Sequence, residues 1–142
     1  MHLNLKGCER LISLPVGISK LISLHTLKGA RISMSKKAAN ALQLKDLQGL
    51  TLLQQLSLLI VGGDGRANQL EEGIFKGMTK MRILEVFNHN SSILHLPQDM
   101  SVMERLEIVR LHHCKLPEWI FQLENLNELT SCRDDSLDYT RL

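Results

Sequence analysis

The 142-residue sequence predicts an α/β repeat solenoid, a curved arc with a parallel β-sheet on its concave face and short helices or irregular turns on its convex face. Three observations predict it. One mixed apolar spacing recurs along the chain. The recurrences are regularly placed. The composition is rich in one core residue and poor in rings, with 28 leucines against five aromatic residues. A globular core uses more large rings, whereas a solenoid fills its interior with ladders of one residue type.

The clearest unit runs over 106–129. Val109-x-Leu111 alternates as a strand does. Leu106, Cys114, Leu116, Ile120, Leu123, Leu126 and Leu129 instead return about every three residues, as in a chain turning back on itself. A unit of this kind cannot bury its apolar edge alone and needs copies stacked on it. The copies lead with Leu24, Leu53, Met81, Leu106 and Leu126, which are 29, 28, 25 and 20 residues apart. Those periods sit in or near the range of leucine-rich repeats. One interior column should hold Leu27, Leu56, Leu84, Val109 and Leu129.

Residues 1–23 enter a unit midway. The expectation is a piece of a longer array or one lacking a cap, with Leu3, Leu5, Leu11 and Leu14 partly exposed. Leu14-Pro15 should end a turn, because proline pushes the residue before it into extended geometry. Within 24–52, Ser35 to Leu42 has helix-forming composition and a serine N-cap, which predicts a short convex helix. In 53–80, the strand Leu56 to Val61 precedes Gly62-Gly63-Asp64-Gly65. That run has neither the spacing of a phosphate loop nor that of a dinucleotide fingerprint, and reads as an irregular loop. In 81–105, methionines take several ladder positions as gap-fillers. The domain is thus 1–132, about five to six repeats with the first incomplete, followed by a polar tail or weak cap over 133–142.

The charge balance is +2, from 17 basic and 15 acidic residues, without the basic stripe that a nucleic-acid partner requires. Lys36, Lys37 and Lys45 read as a solvated convex surface. Three cysteines exclude a complete disulfide framework. Cys8 and Cys114 occupy equivalent places, where a small side chain turns inward at a bend, so reduced structural thiols and a reducing compartment are expected. No apolar run has the length of a membrane-spanning helix. In His112-His113-Cys114 the adjacent histidines should point to opposite faces, His112 to the concave side and His113 inward or along the edge. They do not converge on one metal. No catalytic, cofactor-binding or metal residue is assigned.

The pattern Leu-x-Leu, Cys, Leu, Leu-Pro, Ile, Leu appears at Leu3, Leu5, Cys8, Leu11, Leu14-Pro15, Ile18 and Leu21. It recurs at Val109, Leu111, Cys114, Leu116-Pro117, Ile120 and Leu123. This resembles the leucine-rich repeats of plant intracellular disease-resistance proteins of the nucleotide-binding type, over about residues 3–130. It is also similar to Ras-group intracellular leucine-rich repeats. The resemblance implies a cytoplasmic, non-enzymatic protein-binding module, the sensor and autoinhibitory region of an immune receptor. Its implied partners are a pathogen effector, a guarded host protein or the receptor's own nucleotide-binding module. The alternative is a Ras-group-like signalling scaffold. The chain carries no nucleotide-binding module, so no nucleotide is carried over.

The working positions of such a sheet are its outward residues, stacked about 4.8 Å apart. They form three rows. The first is His2, Thr26, Gln55, Ile83, Ile108 and Glu128. The second is Asn4, Lys28, Ser57, Glu85, Arg110 and Thr130. The third is Lys6, Ala30, Leu59, Phe87, His112 and Cys132. Leu59, Ile83, Phe87 and Ile108 form an apolar patch, covered either by a partner or by the loop 62–73. With Glu85, Arg110 and His112 they are the expected partner site, with Glu85 and Arg110 paired and exposed in the free protein.

Overall fold

The computed structural model describes residues 1–8, 14–34, 42–62, 69–98, 102–133 and 136–141, with backbone alone from residue 133 onward. The chain winds as a parallel-strand solenoid. Its main sheet contains β1 (His2–Asn4), β2 (Thr26–Ser33), β3 (Gln55–Val61), β4 (Ile83–Asn88), β6 (Ile108–His112), β8 (Glu128–Arg133) and β9 (Ser136–Arg141), adjacent in that order. Every pairing is parallel except β8–β9. The segment expected to be a tail or weak cap therefore adds an antiparallel strand to the end of the sheet. A second, two-stranded sheet joins β5 (Leu94–His95) to β7 (Cys114–Lys115).

The expected column is present. Leu3, Leu27, Leu56, Leu84, Val109 and Leu129 stand in register across six strands. Leu27 to Val109 are wholly buried and Leu129 nearly so. Backbone hydrogen bonds hold this register just before each strand. The His25 carbonyl accepts from Gln54 and Gln55, the Gln54 carbonyl from Arg82 and Ile83, the Arg82 carbonyl from Glu107 and Ile108, and the Glu107 carbonyl from Asn127 and Glu128. One carbonyl serving two successive amides marks the same bend in each unit.

The three-residue spacing has a specific cause. Leu21 N–H donates to Ile18 and Leu24 N–H to Leu21, both at 3.0 Å. Leu50 bonds Leu47, Leu53 bonds Leu50, Met78 bonds Phe75, Leu106 bonds Met103 and Leu123 bonds Ile120 in the same way. These are 3₁₀-type bonds, in which residues i and i+3 eclipse one another. A leucine at every third position therefore points inward at each step. Full 3₁₀ turns form at Val16–Lys20, Leu44–Leu47 and Glu118–Gln122. Among the described residues the connections are such turns and irregular segments, and none is α-helical. The helix expected over 35–42 falls on 35–41, outside the described residues.

Leu-Pro opens these turns rather than ending them. Pro15 and Pro117 are the N-caps of the first and third, at φ −70° and −79° with extended ψ. Proline lacks an N–H, and a turn's first residues have no partner for one. Edge leucines Leu3 and Leu5 are half-buried, but Leu14 is buried, contrary to expectation, because Leu42 N–H bonds its carbonyl and the next unit covers it. Leu11 lies outside the described residues. In the fifth unit the only tryptophan, Trp119, is buried and donates Nε1–H to the Pro97 carbonyl at 2.9 Å.

Candidate functional site

The outer face of the sheet carries the candidate residues, and the structure assembles them in three adjoining rows. Ile83 pairs with Ile108, Glu85 with Arg110, and Phe87 with His112 across β4 and β6. Leu59 stands beside Phe87 from β3. Leu59, Ile83, Phe87, Ile108 and Arg110 are half-buried and His112 is exposed. The Phe87 and His112 rings lie 6.2 Å apart, tilted by 37°. Of the loop expected to cover this patch, residues 63–68 lie outside the described residues.

Glu85 departs from its expectation. It is only 4% exposed although it sits on the outward face. Small Ser57 lies beside it on β3, and long side chains close over it from both directions. Lys6 Nζ reaches Glu85 Oε1 at 3.4 Å, and Arg110 Nη1 reaches Glu85 Oε2 at 3.5 Å. Arg110 Nε also donates to Glu128 Oε1 at 3.0 Å. Four alternating charges, Lys6, Glu85, Arg110 and Glu128, thus run across the sheet. Burial works against the Arg110 charge, yet the hydrogen bond and attraction from Glu128, with Glu85 adding to them, hold its pKa above the ordinary arginine value. Burying one carboxylate costs free energy, and a cation on each side offsets it.

A bulge corrects the alignment at β2. The register slips between Leu27 and Ala30 because β2 carries an extra residue there. Ala30 consequently faces the core opposite Leu58, wholly buried, and Arg31 takes the outward place beside Leu59. Lys28 no longer stands opposite Ser57. Gly29 makes the bulge at φ +70°, and a Cβ there would lie 2.7 Å from Lys6 N and 2.8 Å from Leu5 C. Only glycine allows both that backbone angle and that approach.

Two further expectations change. Cys114 is buried and its thiol points at the His112 carbonyl at 3.3 Å, as expected, but Cys8 is exposed on the turn after edge strand β1. Burial pushes the Cys114 thiol up to about 12, with the hydrogen bond to His112 opposing it. His113 does not continue the alternation: at φ +57° it turns the chain between β6 and β7. Its carbonyl accepts from Leu94 N–H and from Asn88 Nδ2, at 3.1 and 2.9 Å. Asn88 is itself buried and also donates to the Ser92 carbonyl at 2.8 Å, so it ties its own unit to the next. Among the described residues no three His, Cys, Asp or Glu side chains group as metal ligands.

Sequence reasoning missed Arg31 and did not place Lys6 and Glu128 in the working set. The signal for Arg31 was Gly29, which stands where the other units carry a ladder residue. Comparisons with protein-family models, with curated proteins and with solved structures gave no match.

Proposed function

We propose that the chain is a non-enzymatic protein–protein interaction module, the leucine-rich-repeat sensor and autoinhibitory region of a plant intracellular immune receptor. Its partner is a pathogen effector, a guarded host protein or the receptor's own nucleotide-binding module, met in the cytoplasm. No nucleic acid, membrane or cofactor takes part.

One observation supports this reading above the rest. Apolar side chains, Leu59, Ile83, Phe87 and Ile108, border the Lys6–Glu85–Arg110–Glu128 charges on one sheet face. An apolar cluster around partly desolvated charges is the composition of a binding hot spot, with an aromatic anchor and an arginine at its centre. Such a face gives specificity through charge placement and affinity through Phe87.

The test is a pull-down of the nucleotide-binding module encoded in the same reading frame, with Phe87→Ala and His112→Ala beside the wild type. The expected result is at least tenfold weaker capture by Phe87→Ala, with unchanged circular dichroism. Capture at the wild-type level by both variants would move the surface away from this face, toward Lys36 and Lys37. A reading frame without a nucleotide-binding module would favour the signalling scaffold.

A further inference from the structure

Beside the charged row, the outer face contains a half-open cavity of about 370 Å³. It is lined by small Gly29 and Ser57, by apolar Leu59 and Phe87, by the Leu5–Lys6 segment and by the cations Lys6 and Arg31. Its origin is local. The β2 bulge brings the Leu5–Lys6 backbone down onto Gly29, which has no side chain to fill the space. Ser57, on the next strand, is the smallest outward residue of β3. A trough follows where neighbouring units project larger side chains. Its volume lies within the roughly 300–1,000 Å³ of small-molecule sites.

The charges around it do not balance. Among the described residues, none that lines the cavity is acidic. Lys6 is committed to Glu85 at 3.4 Å. Arg31 is half-buried and, among the described residues, enters no ion pair. The surplus is one guanidinium above an apolar hollow. A cation would be repelled there, and a dianionic phosphate would keep part of its charge unmatched. A neutral apolar molecule would cover Arg31 without pairing it. A carboxylate matches the guanidinium in charge and in its two-pronged geometry.

We propose that this cavity binds a small apolar monocarboxylate, its body against Leu59 and Phe87 and its carboxylate on Arg31. The cavity shares Lys6, Leu59 and Phe87 with the proposed partner face, but its occupancy is read on the chain alone, through Arg31, which that face does not use. The same chemistry is carried by a free organic acid and by a polypeptide ending in an apolar residue.

The experiment is calorimetric titration of the full chain with 4-phenylbutyrate, 4-phenylbutanol and 4-phenylbutylamine, which share one apolar body and differ in charge. The acid is expected to bind about five- to tenfold more tightly than the alcohol, and the amine most weakly. Arg31→Gln should bring the acid to the level of the alcohol, while Arg105→Gln, an exposed residue outside the cavity, should leave it unchanged. Cys8 lines the cavity and is exposed, whereas Cys114 and Cys132 are buried, so it reports occupancy. Its alkylation by iodoacetamide should slow several-fold in saturating acid. A hexapeptide ending in phenylalanine with a free carboxylate, titrated beside the acid, identifies the source. Equal binding of the three probes, no binding of any, or wild-type affinity in Arg31→Gln would overturn the site.

Discussion

Glu85 and Arg110 occupy the same register position on adjacent parallel strands, 3.5 Å apart, yet the glutamate side chain is 5% exposed and the arginine 38%. The pair is therefore asymmetric. Removing the arginine strands a buried carboxylate with Lys6 alone, whereas removing the glutamate leaves two cations that reach water. Arg110→Ala is expected to cost about 1–2 kcal/mol, discounted from a fully buried pair because Arg110 meets solvent. In a Glu85→Gln background the same change should cost about 1 kcal/mol less. Urea midpoints of the four proteins measure this, and equal costs in both backgrounds would mean that the pair does not couple.

Gly29 and Gly49 differ in what a methyl group would meet. At Gly29 it would meet backbone at 2.7 Å with φ at +70°, whereas at Gly49 nothing lies within 4 Å. Gly29→Ala should destabilise by at least about 1–2 kcal/mol from the backbone angle alone, with the steric contact adding to it. Gly49→Ala should stay within about 0.5 kcal/mol of the wild type. Thermal melts of both variants compare them directly.

Leu84 is wholly buried in the central column, so Leu84→Ala is expected to cost about 2–5 kcal/mol. Glu72 is exposed, but its Oε1 accepts from Gln98 N–H at 2.8 Å. Glu72→Ala should therefore cost about 0.5–1 kcal/mol. Fluorescence of buried Trp119 during urea unfolding reads both variants, and coincident midpoints would contradict the column.

The Cys114 thiol makes stability depend on alkaline pH. Its folded pKa is raised from 9.0 to about 12 by burial, so the folded state keeps a proton that the unfolded state gives up. Its contribution is fully present below about pH 9 and is lost as pH rises toward 12. Cys114→Ala has no thiol to ionise. The stability advantage of the wild type over this variant is expected to shrink from pH 8 to pH 10.5, as read from denaturant midpoints at each pH. A constant advantage would show that Cys114 does not ionise on unfolding.

How much was legible follows from the range of each cause. The column from Leu27 to Leu129 could be read because its causes are local. Alternation over two residues makes a strand and repetition over three makes a 3₁₀ turn, and both are written into adjacent side chains. The outward rows at Ile83–Ile108 and Glu85–Arg110 followed from the same alternation. Ala30 was placed outward and Arg31 passed over because one extra residue in β2 exchanges the inward and outward sides beyond it.

By itself, then, the sequence determined the winding of the chain, the stacking register and the identity of most outward residues. Tertiary structure alone decided what those residues experience. Glu85 is buried because Lys6, from the far side of β2 and β3, and Arg110 close over it. The hollow beneath Arg31 exists because Leu5 and Lys6 rest on Gly29. Both depend on groups brought together from different turns of the solenoid, so the desolvation and charge balance they set cannot be read from the spacing of neighbours along one unit.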